Sequence, residues 1–219
     1  MKDKSNSLLE LEAKLRFVVR KEPGNPRAHY DLGELLFEKG RVAESKREFR
    51  EAARLDPKDY LPHLILGGIL MSQKRYREAE AESREVLALE PDHCFAHNYI
   101  GESLWKQGRR REAEEEFRKA LRGNCRIPIL RFNLGKVLLA KRDYAKAERE
   151  FRSVIRAILR ENWMLKGALR KLASSLEGLG RNVEALGFRA AALEIKRLRK
   201  GKRINRLKPG KPLKAGISP

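Results

Sequence analysis

Apolar and polar positions along this chain recur with a period of 34 residues. The stretch 26–59 carries Leu32-Gly33, Leu36, Gly40, Phe49, Ala52, Leu55 and Pro57. One period on stand Leu66-Gly67, Leu70, Ala79, Val86, Leu89 and Pro91, then Ile100-Gly101, Leu104, Gly108, Ala113, Phe117, Ala120 and Leu121. The next period gives Leu134-Gly135, Leu138, Ala147, Phe151 and Val154. These four copies (26–59, 60–93, 94–127, 128–161) run without a break, and a fifth, 166–199, follows four extra residues with Leu172-Ala173, Leu176, Gly180, Ala185, Ala192 and Ile195.

Inside each copy the apolar residues fall at three- and four-residue spacing, as in Leu32, Leu35, Leu36 and then Phe49, Ala52, Ala53, the period of an α-helical face. Each copy therefore predicts two helices of roughly 12–14 residues, broken at Gly40, Lys74, Gly108, Arg142 or Gly180. Small residues at the aligned inner positions let two helix backbones approach, and a larger side chain there would overpack at a cost of roughly 1–3 kcal/mol. A single helix pair cannot bury both its faces, so the copies have to stack into a quasi-one-dimensional array. Residues 8–22, with Leu8, Leu11, Leu15, Val18 and Val19, predict a further amphipathic helix. Counted back from Pro23, Leu11, Leu15 and Val18 occupy positions 20, 24 and 27 of a copy, so residues 1–25 read as half a repeat capping the front of the array.

A 34-residue period with this order of large and small residues resembles the tetratricopeptide repeat. That family's pattern has a small residue at position 8, matched by Gly33, Gly67, Gly101, Gly135 and Ala173, and another at position 20, matched by Ser45, Ala79, Ala113, Ala147 and Ala185. The aromatic of position 24 is replaced by Ser83 and Arg189 in copies two and five, and the proline of position 32 by Cys125, Leu159 and Arg197 in copies three to five. The resemblance implies an all-α, right-handed α-solenoid of stacked helix-turn-helix pairs with one concave and one convex surface.

It also implies which residues face the concave groove: positions 2, 5, 9, 12 and 13 of each copy. Copies one to five then offer Arg27, Tyr30, Glu34, Phe37 and Glu38; Leu61, Leu64, Gly68, Met71 and Ser72; Phe95, Asn98, Glu102, Trp105 and Lys106; Ile129, Phe132, Lys136, Leu139 and Ala140; and Gly167, Arg170, Ser174, Glu177 and Gly178. The middle of this groove is apolar, with Leu61, Leu64, Phe95, Ile129 and Phe132 as its expected strip. The family's chaperone-binding clamp is not matched. Tyr30, Glu34 and Ile65 stand where it needs Lys, Asn and Asn, and the partial fit through Asn98, Asn133 and Lys171 fails at Glu102 and Gly167.

Charge changes the picture at one end only. Of the formal net charge of +20, residues 196–219 supply Lys196, Arg197, Arg199, Lys200, Lys202, Arg203, Arg206, Lys208, Lys211 and Lys214, with no acidic residue among them. Apolar periodicity fades after Leu198, so 200–219 is expected to be a disordered basic tail. It has no aromatic residue on which a base could stack.

Candidate chemistry adds little. His29, His63 and His97 are 34 apart; helices pack about 8–10 Å apart, too far for a shared Zn²⁺ with ligands at ~2 Å. No metal and no cofactor are called for, and no phosphate loop, HExxH or nucleophile elbow is present. Cys94 and Cys125 lie outside any CxxC spacing and are expected to be free thiols in a reducing cytoplasm. No apolar run of signal-peptide or membrane-span length is present. The function these features imply is a non-enzymatic scaffold binding an apolar or amphipathic segment of a protein partner in the groove. The alternative is a polyanion- or nucleic-acid-associated protein using the tail.

Overall fold

In the computed structural model residues 2–122, Cys125, 127–158 and 162–182 are described, and beyond them Glu184, Ala185, Phe188, Arg189 and Ala192. The basic tail lies outside the described residues, as does most of the second half of the fifth copy. Among the described residues ten helices have defined bounds: α1 (Lys2–Lys21), α2 (Pro26–Glu38), α3 (Val42–Leu55), α4 (Leu61–Ser72), α5 (Tyr76–Leu89), α6 (Cys94–Lys106), α7 (Arg110–Arg122), α8 (Pro128–Ala140), α9 (Tyr144–Ile158) and α10 (Asn162–Gly178). Among the described residues there is no strand. The chain forms two compact units, Met1–Val137 and Leu138–Pro219.

Every expected break falls at a helix-helix corner, and all five have a left-handed backbone: Gly40, Lys74, Gly108, Arg142 and Gly180 have φ between 60° and 82°. The corner is the same each time. The N–H of position 16 reaches back to the carbonyl of position 11, in Arg41 to Leu36, Arg75 to Leu70, Arg109 to Leu104, Asp143 to Leu138 and Arg181 to Leu176, at 2.8–3.0 Å. This six-to-one bond satisfies a helix-terminal carbonyl. Helix starts vary more: Asn25 caps α2 through the Ala28 N–H with Pro26 as first helical residue, a favoured pairing.

Within the first unit, consecutive helices from α1 to α7 pack pairwise, and α4 also touches α6. The small residue of position 8 lies against the ring of position 24. A Cβ at Gly33 would stand 3.0 Å from the Phe49 ring, and one at Gly101 would stand 2.9 Å from Phe117. Both rings are buried. Ser45 closes the first hairpin by donating its hydroxyl to the Gly33 carbonyl at 2.8 Å. Along α1 the carboxylate of Glu12 receives Lys39 and Arg41 from the next copy. Glu80 likewise receives Gln107 and lies near Arg109. In the second unit Glu148 receives Arg181. Lys39 first, then Arg16 and Arg41, hold the Glu12 carboxyl down at about 2.

The second unit absorbs the four extra residues by lengthening a helix: α10 begins at Asn162 and runs 17 residues. It packs on α9, and a Cβ at Gly178 would fall 2.5 Å from the Tyr144 ring.

One expectation is overturned. Cys94 and Cys125 are joined by a disulfide across a sequence separation of 31. A helical hairpin returns to the end from which it started, so the first residue of α6 meets the segment that follows α7. Cys94 is buried with Ala120 and Leu130, and Phe95, Leu121, Cys125, Ile127 and Ile129 pack around them. The bond removes the free thiols as an argument for a reducing compartment. No described helix is long and apolar enough to cross a membrane.

Candidate partner-binding cleft

The first helices of copies one to three, α2, α4 and α6, together line an open apolar cleft of about 420 Å³ in the first unit. Phe37 comes from α2, Leu64, Ile65, Gly68 and Ile69 from α4, and Phe95 and Tyr99 from α6. Phe37 is among the exposed large hydrophobic residues at 47%, whereas Ile69 is buried.

The cleft has a local cause in the sequence. At Gly33 and Gly101 the three nearest side-chain atoms belong to the aromatic ring of the same copy. In copy two that ring is replaced by Ser83, fully buried, whose hydroxyl donates to the Ala79 carbonyl at 2.7 Å. Tyr99 of the next copy leans into the vacated side, 3.6 Å from where a Gly67 Cβ would lie. Its hydroxyl comes within 3.1 Å of a Cβ built on Gly68, a tight contact that the absence of a side chain there relieves. Burial, then the Glu102 carboxylate, raises the Tyr99 phenol above its ordinary value.

The expected groove residues divide into several groups. Leu64 and Phe95 line the cleft. Leu61 is half-buried against the core cluster of Tyr30, Phe49, Ala52, Leu66 and Ile69, and Ile129 packs beside the disulfide. Tyr30 is buried rather than presented, its ring edge-on to Phe49 at 5.5 Å. Its hydroxyl donates to Glu34, and burial followed by the Glu34 charge pushes its pKa up to about 12. Asn98 is buried as well, accepting from the Asn133 amide at 2.9 Å. Trp105 lies half-buried with the Arg110 guanidinium 5.6 Å from its ring, and Phe132 is half-buried with the Lys136 ammonium at the same distance. Arg170 is exposed on α10. Lys196, Arg197, Arg199, Lys200, Lys202, Arg203 and Arg206 lie outside the described residues.

The histidines at position 4 pack, as expected, and also bond. His29, His63 and His97 each present Nδ1 to a glutamate 19 residues on, Glu48, Glu82 and Glu116, at 2.7–2.8 Å. His29 and His97 also offer Nε2 to the carbonyls of Pro23 and Pro91, tying each copy to the one before. The Glu82 bond raises the His63 pKa. His93 caps α6, its Nδ1 accepting from the Ala96 N–H, and burial lowers its pKa. Among the described residues no cluster of His, Cys, Asp and Glu could hold a metal ion.

Family models described as tetratricopeptide repeat match residues 26–59 and 100–162. No curated protein matches the sequence. Among solved structures, one from a study titled as the functional characterisation of Pseudomonas aeruginosa pilF superposes with a TM-score of 0.74 at 21% identity, over 90% of this chain and 87% of that one. YrrB, described as a TPR protein with an unusual peptide-binding site, gives 0.68 at 15% identity, over 84% of this chain and 92% of its own. MamA gives 0.67 at 18% identity, over 84% and 98%. Identities this low carry the fold alone, an all-α solenoid of helical hairpins. With the recurring corner and the small-residue seam in agreement, the matched segments 26–59 and 100–162 are tetratricopeptide repeats.

Proposed function

We propose that this protein is a non-enzymatic interaction scaffold that docks an apolar or amphipathic segment of a protein partner in the cleft between α2, α4 and α6. The cleft itself carries the reading: three successive copies contribute Phe37, Leu64, Phe95 and Tyr99 to one apolar recess. Buried by a partner, each such side chain contributes roughly 1.5–3 kcal/mol, less the ordering cost of association. A similar fold in YrrB is described as having a peptide-binding site, and stacked repeats present extended surfaces suited to such use. The histidines of position 4 are engaged in structure, each bonded to a glutamate of its own copy.

The charge of residues 196–219 favours a second reading, in which the tail supplies affinity for a polyanion. Affinity capture from native lysate separates the two. Phe37→Glu with Leu64→Glu should lose the captured partner while keeping its helicity, and truncation after Ile195 should keep it. Loss on truncation with retention in the cleft variant establishes the tail reading and sinks the cleft.

A further inference from the structure

The occupant of the cleft can be specified further, on the basis of the reading above, from the charges at its two ends. Position 9 of the first three copies is Glu34, Gly68 and Glu102. Gly68 lies in the cleft, so a carboxylate stands at the equivalent place one copy to either side. Glu34 precedes Phe37 by three residues and Glu102 follows Tyr99 by three, the spacing of neighbours on one helix face. Of the three cleft rings, Phe37 and Tyr99 therefore each have a carboxylate beside them. Glu34 is exposed and Glu102 half-buried. Glu38, next to Phe37, is exposed as well. Glu34 accepts only the Tyr30 hydroxyl, and among the described residues neither Glu34 nor Glu102 lies in an ion pair with a cation. The nearby Arg27 is committed to Asp31 and the face of Tyr30. In a chain of net charge +20, this is a local acidic frame around an apolar recess.

We infer that the cleft takes a peptide segment with one large apolar side chain flanked on both sides by lysine or arginine, the apolar group seated over Gly68 and the cations against Glu34 and Glu102. Spacing follows from the fold. Neighbouring helices lie about 8–10 Å apart and an extended chain advances ~3.3 Å per residue, so each cation stands about three residues from the anchor. Complementary charge at the rim fixes register and rejects wrong partners.

The probe is a fluorescein-labelled 11-residue Gly/Ser peptide with Trp at its sixth position and Lys at its third and ninth. Its counterparts carry Glu at the third and ninth positions, or Ser at the sixth. Polarisation with the full chain at physiological salt should favour the Lys-flanked over the Glu-flanked peptide by about tenfold, and the Ser-centred peptide should lose binding. Glu34→Lys with Glu102→Lys should invert the preference; if that pair loses helicity, Glu34→Gln with Glu102→Gln should abolish it. Equal or better binding of the Glu-flanked peptide, a preference unchanged in the charge variants, or no binding of any peptide up to millimolar concentration overturns the inference. The apolar cleft fails separately: if Leu64→Glu leaves the affinity of every peptide unchanged, binding is elsewhere. If Leu64→Glu and the Trp-to-Ser change both abolish binding while the flanks make no difference, the cleft stands and the charge inference falls.

Discussion

Breaking the bond between Cys94 and Cys125 should cost more stability than any single surface change in the chain. The bond closes a loop across a sequence separation of 31, and the chain-entropy relation assigns such a loop about 3.5–4 kcal/mol at 25 °C. For a chain of this size each kcal/mol shifts melting by about 2–4 °C, giving about 7–15 °C in all. The loss should centre on α6 and α7, which the bond ties into one hairpin, and on the cluster of Cys94, Ala120 and Leu130. Cys125→Ala is the cleaner variant, because Cys125 is half-buried and Cys94 is buried at 4%. Thermal melts by circular dichroism with and without reductant decide it, and thiol alkylation before and after reduction reports the bond itself. Wild type without reductant should show no alkylatable thiol, and Cys125→Ala should melt like the reduced protein. Two free thiols in the untreated protein, or melts that coincide within 2 °C, would refute the reasoning.

The seam predicts that Gly101→Leu, which drives a side chain into the Phe117 ring 2.9 Å away, destabilises by about 1–3 kcal/mol or more, while Glu115→Ala on an exposed position stays within about 0.5 kcal/mol; equal effects in denaturant titration would show the register to be wrong. Glu12 has a folded pKa of about 2 against an ordinary 4.5, so its contribution is full above 4.5 and is lost as pH falls towards 2. NMR of the α1 amides should follow that loss, Glu12→Gln should remove it, and α1 signals unchanged between pH 5 and 2 would contradict it. His63 should titrate above 6.5 and His93 below it. The His63 contribution is thus present below 6.5 and fades as pH rises through its folded pKa; proton NMR midpoints in the reverse order would dismiss the Glu82 bond and the capping role.

Much of the fold is legible in the sequence because repetition turns weak local signals into strong ones. Lys74 and Arg142 are unremarkable alone, but alignment with Gly40, Gly108 and Gly180 marks them as left-handed corners. The disulfide is hidden from motif spacing, since Cys125 stands where the repeat expects proline and its partner lies a whole hairpin away. The histidine bonds have a signal in the sequence: Glu48, Glu82 and Glu116 share the 34-residue period of His29, His63 and His97. The cleft was half legible. Leu64 and Phe95 follow from the groove positions, but Tyr99 does not, because its place depends on the small Ser83 of another copy. Tyr30 and Asn98 sit at groove positions and are nevertheless buried, one on Phe49 and the other on Asn133.

Site-directed photocrosslinking tests the central claim most directly. A benzophenone amino acid replaces exposed Phe37 at the cleft edge or, as control, exposed Glu115 on α7. Irradiation in native lysate should give a discrete adduct from position 37 that the Lys-flanked Trp peptide competes away, and none from position 115. An adduct from position 115 alone, or one at position 37 that Leu64→Glu leaves untouched, would contradict the account.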